Sequence, residues 1–293
     1  MKKLNYSELK QQLDKIENLP TLPTIAIKVN KLLQDYDTSI KKLSIVIEND
    51  QAISSKILKL VNSAFFGLRS KVGNIPHAIT LLGFNTVRNA VMSVSVIKVL
   101  SDISDLEDFI IDDFWTHSIS VAVASKHISE TTHLHNPDDC FIAGLLHDIG
   151  KLVMINNFES LFREVWEIKK DKNISFFEAE KKVGSMNHAQ TGGYLASRWK
   201  LPGALSDTIA RHHTLSDMAI DINLLKIVHS ADIIINSLDL IVSDSFEKLN
   251  IPDDILTGIR KERQLPDEWH KILLTEIDEA CHFFKEREKT VEQ

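Results

Sequence analysis

The feature that most narrows what this chain can fold into is a helical repeat of apolar residues along almost its whole length. Apolar side chains recur three and four positions apart, few segments alternate with period two, and only 10 glycines and 7 prolines interrupt 293 residues. Alternation is what a half-buried strand needs, whereas the three-to-four spacing lines one face of a helix. The expected class is therefore all-α.

Punctuation divides the repeat into helices. A first helix after Leu22-Pro23 carries Ile25, Val29, Leu32 and Leu33 inward. A second starts at Thr38 or Ser39 and points Ile40, Leu43 and Ile47 inward. Asp50 caps a third, which buries Ile53, Ile57, Leu60 and Val61 and ends near Gly67. Pro76 opens a short helix through Ile79 and Leu82 that Gly83 ends, and Asn85 caps a longer one to about Leu100. The acidic stretch from Asp102 to Asp113 is the clearest shift of composition. It predicts two subdomains, 1–110 and 111–293. Longer helices follow, over 113–133, 137–156, 159–171, 176–183, 188–199, 202–213 and 222–240, with a last amphipathic one after Pro266.

Composition excludes several classes. With 43% apolar and 26% charged residues the chain is ordinary globular protein rather than disordered. No apolar run approaches the roughly 20 residues of a membrane span, and Met1 to Lys10 lacks the apolar core of a signal peptide. Two cysteines, Cys140 and Cys281, make no disulfide framework, so a reducing cytoplasm is the expected setting. A net charge of -7 disfavours a nucleic-acid partner. The basic residues Lys169 to Lys172 and Lys181 to Lys182 sit among acids and read as solvated helix faces.

The sharpest chemical signal is Gly144-Leu145-Leu146-His147-Asp148-Ile149-Gly150-Lys151. On one continuous helix His147 and Asp148 would lie about 100° apart around the axis and reach a single ion. Lys151, three and four positions on, would project over the same place and could neutralise a phosphate oxygen. An exposed His-Asp pair beside a glycine turn is the other reading. Asp232 shifts the balance. Its helix, from Leu224 to Ile235, is apolar almost all round and so belongs in the interior, where a carboxylate needs a metal, an arginine or a hydrogen-bond cluster.

The remaining candidates are less specific. His117 shares its helix with Trp115, Val121 and Ala124 and in isolation reads as a core histidine. Asp113, four residues before it, is read as a helix N-terminal acid rather than a ligand. His188 opens a helix and His212-His213 closes one. Terminal histidines are often caps or surface groups, but an adjacent pair suits a second metal. His229 reads as core packing or as a support for Asp232. His77, His127, His133, His135, His270 and His282 read as surface or packing residues.

Taken together, His117, then His147-Asp148, then Asp232 resemble the H…HD…D pattern of the HD superfamily of metal-dependent phosphohydrolases, over about the second half of the chain. The first half is narrower in its likeness. Leu19-Pro20-Thr21-Leu22-Pro23, the segment Ile53 to Gly67 (ISSKILKLVNSAFFG) and Ile75 to Gly83 (IPHAITLLG) resemble the helical signature of the HDOD, or HD-related output, family. His188, His212 and His213 are similar to the extra histidines of HD-GYP cyclic-di-GMP phosphodiesterases, and Lys151 to their lysine. The Glu and Gly-Tyr-Pro that should follow the His pair are absent; Thr214-Leu215-Ser216-Asp217 stands there instead.

The resemblance implies an HD-like helical domain preceded by an N-terminal helical bundle, in a bacterial signalling or regulatory protein. It implies a divalent metal site of one or two ions, with His117, His147, Asp148 and Asp232 on the first and His188, His212 and His213 supporting a second. Iron or manganese suits the superfamily, and zinc and nickel are compatible with a mixed His/carboxylate shell. The implied partners are a signalling protein or a phosphate-containing small ligand, without a membrane. An active phosphohydrolase, with Lys151 steadying phosphate charge, is the alternative.

Overall fold

The computed structural model describes residues 6–16, 19–33, 35, 37–63, 68, 70–100, 105–106, 109–184, 186–237, 249–262 and 269–285. Among these there is no strand; Leu106 and Phe109 form one isolated antiparallel bridge. In chain order the helices are α1 (Tyr6–Asp14), α2 (Thr24–Leu32), α3 (Ile40–Glu48), α4 (Gln51–Val61), α5 (Ile75–Leu100), α6 (Ile111–Thr132), α7 (Pro137–Leu146) and α8 (Ile149–Asn157). They continue with α9 (Glu159–Lys172), α10 (Phe176–Val183), α11 (His188–Arg198), α12 (Gly203–Arg211), α13 (Ile222–Asn236), α14 (Asp253–Glu262) and α15 (Trp269–Lys285). The fold class is all-α, as the periodicity predicts.

Side-chain caps set many of the starts by satisfying backbone N–H groups that have no partner within the helix. Ser39 accepts from Lys42, Asp50 from Ile53, Asn187 from Gln190, and Asp221 from Asn223 and Leu224. Ser175 and Glu178 form a reciprocal capping box at α10. The break expected at Gly83 falls inside α5. Gly83 has φ 83° and ψ 171°, a conformation that only glycine adopts without strain, so two helices abut there with a kink.

Two apolar cores result. The first gathers Val29, Leu43, Ile47, Ile57 and Val61 against Val87 and Val91 of α5. The second is larger and takes Met92, Val96 and Leu100 from the other face of α5, together with the buried stripes of α6 to α13. Phe162, wholly buried, lies in an aromatic cluster with Phe109, Trp166 and Phe176. Each fully buried side chain of this size contributes roughly 1.5–3 kcal/mol. The start of the chain crosses to the second core: Leu13, Leu22 and Ala26 pack in it. Tyr194 and Arg198 of α11 both bond Asp14, and the Trp199 indole donates to the Pro20 carbonyl at 2.8 Å.

The two cores are joined by a polar clasp where α5 meets the start of α7. Thr86 donates to the Asp138 carboxylate, Arg88 pairs with Asp139 at 3.0 Å, and the Asn89 amide donates to the Asp138 carbonyl at 2.8 Å. No described helix is long and apolar enough to cross a membrane.

One predicted helix is corrected. The span 137–156 is two helices, α7 and α8, that change direction at His147-Asp148. Asp148, with φ -100° and ψ 3°, is non-helical and caps α8. The reason is packing: α7 lies along α6 whereas α8 lies along α11, and a straight helix could not serve both. The ends expected near Gly67 and Leu240, the acidic stretch at 102–104 and 107–108, and Pro266 lie outside the described residues.

Candidate metal centre

Helix ends, rather than helix faces, supply most of the site. His147 is the C-cap of α7 and Asp148 the N-cap of α8, His188 is the first residue of α11, and His212 is the C-cap of α12. His213 follows directly. Only His117, within α6, and Asp232, within α13, come from helix interiors. Asp148, Asp232, His147, His188 and His212 are buried, while His117 and His213 keep partial exposure.

The imidazoles are aimed by what binds their Nδ1 atoms. His147 donates from Nδ1 to the Gly144 carbonyl at 2.6 Å, and His212 to the Ile209 carbonyl at 2.8 Å. His188 donates from Nδ1 to Glu180 at 2.8 Å, and Glu180 also accepts from the His188 backbone N–H. Since a carbonyl can only accept, the proton of neutral His147 and His212 resides on Nδ1. Each Nε2 then presents a lone pair to the interior of the site. This is the arrangement by which outer hydrogen bonds orient metal-binding histidines.

The donors converge on Asp148. Its Oδ2 lies 3.4 Å from His147 Nε2 and 3.7 Å from His117 Nε2, and its Oδ1 lies 3.0 Å from His188 Nε2 and 3.7 Å from His212 Nε2. One carboxylate thus faces two donor groups with its two oxygens. Asp232 closes the first group, with Oδ1 3.2 Å from His117 Nε2 and 3.7 Å from His147 Nε2, and its Oδ2 is 3.7 Å from His213 Nδ1. The Asn236 amide donates to Asp232 at 2.7 Å and fixes its rotamer. In the sets Asp148/His188/His212/His213, His117/His147/Asp148 and His147/His212/Asp232, the donor atoms all lie within 4.8 Å of one another.

The residues fit a divalent cation. His188 Nε2 lies 3.3 Å from His212 Nε2 and 3.0 Å from His213 Nε2, so ring nitrogens face ring nitrogens across the site. His147 Nε2 and Asp148 Oδ1 are buried without a hydrogen-bond partner. Orphaned buried polar atoms are costly, and a cation among facing lone pairs removes the cost.

The electrostatics show what the cluster does with protons when metal-free. Burial works against a charged His147, but Asp148 and Asp232 outweigh it and carry the imidazole up to about 10. Burial likewise opposes charge on His188, and Glu180 and Asp148 raise it. Burial and the neighbouring His147 and His188 push His212 down to about 3, and burial with His212 and His188 pushes His213 down. Burial would raise both carboxyls. Asp148 is instead held well below its usual range by Lys151, His147 and His188, and Asp232 by the neighbouring His117 and His147. Lys151 donates directly to Asp148 Oδ2 and lies over the Phe176 ring.

All eight side chains singled out in the sequence, His117, His147, Asp148, Lys151, His188, His212, His213 and Asp232, stand together. Asp113 is exposed in the first turn of α6 and belongs to none of these donor sets. His229 donates from Nδ1 to the His212 carbonyl at 2.7 Å. His127 and His135 face Glu276 and Asp221. Glu180 was not singled out, although a signal existed: it shares an apolar face with Phe176, Ala179 and Val183, where a carboxylate needs a partner. Phe177, stacked on His213 with ring centroids 4.4 Å apart, carries no comparable signal.

The fold and the histidine-carboxylate centre together define an HD-type helical protein. The chain matches the HDOD domain over residues 19–215, and it belongs to that family. A curated protein of Treponema pallidum, itself uncharacterised, is 27% identical over 203 residues, which are 69% of this chain. The match covers 39% of that protein, so this chain spans well under half of its length. An HDOD domain protein of unknown function from Geobacter sulfurreducens superposes with a TM-score of 0.72 at 22% identity, covering 94% of this chain and 97% of that one. A Shewanella amazonensis protein, provisionally named a phosphohydrolase, gives 0.70 at 23% identity, covering 93% and 96%. At these identities the likeness is one of fold.

Proposed function

We propose that this chain is a regulatory HDOD module that keeps a working divalent metal site and uses it to hold a phosphate-containing ligand. The observation that carries this reading is the anchoring of three buried imidazoles through Nδ1, which turns their Nε2 atoms onto the two oxygens of Asp148. Two of the three partners are backbone carbonyls, and the third, Glu180, is a buried side chain committed to His188. His117, His147, Asp148 and Asp232 would hold one ion, and His188, His212 and His213 with Asp148 a second. The donor set is mixed nitrogen and oxygen, which suits iron or manganese and accepts zinc or nickel. The helices of 1–110, with their own core, would form the surface for a signalling partner in the cytoplasm.

A bound divalent ion would supply Lewis acidity toward a phosphoryl oxygen. The chain's own residues then supply the rest. Lys151 places an ammonium beside Asp148, where negative charge on a phosphate would gather. His117 and His213, the less buried members, line the side from which a ligand can approach. The position of Lys151 favours a second reading, a phosphohydrolase acting on phosphodiesters or nucleotides.

Metal content of the purified chain by mass spectrometry, beside a His147→Ala/Asp148→Ala variant, tests the proposal. The expected result is about one or two metals per wild-type chain and none in the variant. Absence of metal from both, after aerobic and anaerobic preparation, would sink it. Phosphodiesterase and nucleotidase assays of the loaded protein separate the regulatory reading from the hydrolase one.

A further inference from the structure

Beside the centre lies a second cation that the cluster itself does not use. Lys169, near the end of α9, belongs to a run of basic residues whose neighbours Lys170 and Lys172 are exposed as the sequence predicts. Lys169 is not. It is half-buried, with Nζ 4.6 Å from the centroid of the Trp166 ring. Lys151 Nζ stands 5.3 Å from the centroid of the Phe176 ring, and the two rings are 6.1 Å apart. The two ammonium groups therefore sit over neighbouring plates of one aromatic cluster.

They also repel. Burial, then Lys151 and Lys170, lower the Lys169 pKa, and among the described residues no carboxylate acts on it to a comparable degree. A lysine with only a structural role would extend its ammonium into water and leave its stem on the ring. One drawn in beside another cation, with no balancing acid among the described residues, is set up to receive an anion. Lys151 already touches Asp148, so an anion held between the two lysines lies within reach of the metal centre.

We infer that Lys169 and Lys151 form an anion subsite on the α9 side of the centre, which takes a second phosphoryl group of a ligand whose first lies at Asp148. The ligand class is a diphosphate or longer phosphate chain rather than a monophosphate. This inference rests on the metal-holding reading above, and it adds Lys169 and the ligand class to it.

The test is calorimetric titration of the manganese-loaded chain at pH 7 with orthophosphate and with inorganic pyrophosphate. Wild type, Lys169→Gln and Lys170→Gln are compared, and metal content is measured before and after each titration. One charge-assisted contact is worth roughly tenfold in affinity, so wild type should prefer pyrophosphate by about that factor. Lys169→Gln should lose the preference while binding orthophosphate as before, and Lys170→Gln should keep it. An unchanged preference in Lys169→Gln overturns the subsite. So does an equal loss in Lys170→Gln, which would mean diffuse charge, and so does pyrophosphate that carries the metal off the protein. A wild type that loads no metal overturns the metal reading on which the subsite rests, and the metal measurement tells that failure from the others.

Discussion

Replacing Gly150 by alanine tests whether the contact between α8 and α11 is what holds the two halves of the donor set together. A Cβ on Gly150 would lie 1.9 Å from the His188 carbonyl oxygen and 2.6 Å from the Gly192 nitrogen. Both are backbone atoms, so no rotamer change relieves the clash. Restoring ordinary contact at about 3.4 Å needs a shift of roughly 1.5 Å between the start of α11 and α8. That shift falls on His188 Nε2, 3.0 Å from Asp148, and on its backbone bond to Glu180. Overpacking costs about 1–3 kcal/mol and more against rigid backbone, so the upper end applies here. At roughly 2–4 °C per kcal/mol for a chain of this size, Tm should fall by about 6–12 °C. Scanning calorimetry of the metal-free protein measures the fall, and mass spectrometry should show metal content reduced relative to wild type. Gly73→Ala is the control, because its Cβ would meet nothing within 4 Å. A Gly150→Ala protein with wild-type Tm and metal content would refute the argument. A lowered Tm with full metal content would refute its second half, that the contact sets the donor geometry.

Two further outcomes follow from the protons and outer bonds of the centre. Metal binding at pH 7.5 should release about one proton or more per chain, because His147 is held up to about 10 and must give up the proton on Nε2 to bind; calorimetry in two buffers of different ionisation enthalpy reads this, and no release would contradict the protonated cluster. The sign for the metal-free fold agrees: His147 contributes stability that is fully present below its ordinary value near 6.5 and is lost as pH rises through about 10. Glu180→Gln should weaken metal affinity by roughly 10–100-fold, the usual cost of removing an outer partner of a histidine ligand; affinity equal to wild type in a competition with a chelating dye would show that Glu180 does not orient His188.

Much of this was legible in the sequence, and what was not has identifiable causes. Periodicity and cap residues are local, so Ser39, Asp50 and the Gly83 break could be read from their neighbours. Asp232 stood out because a carboxylate in an apolar helix violates the pattern around it. The turn at His147-Asp148 was not legible. Its cause is the pull of α6 on one side and α11 on the other, and α11 begins only at His188, far along the chain. The dipeptide stands at the junction of two helices rather than at adjacent positions on one. Lys169 departs from its neighbours for a similar reason: a run of lysines among acids looks solvated throughout, and Lys169 lies over Trp166, which packs on Phe176.

The clasp of Thr86, Arg88 and Asn89 grips Asp138 and Asp139 at one end of α7, and His147 caps the other end. Ten helical residues make a strut about 15 Å long, stiff along its axis because every turn is hydrogen-bonded to the next. The two ends cannot then move independently. In mechanical terms His147 and the clasp stand at the two ends of one short rod.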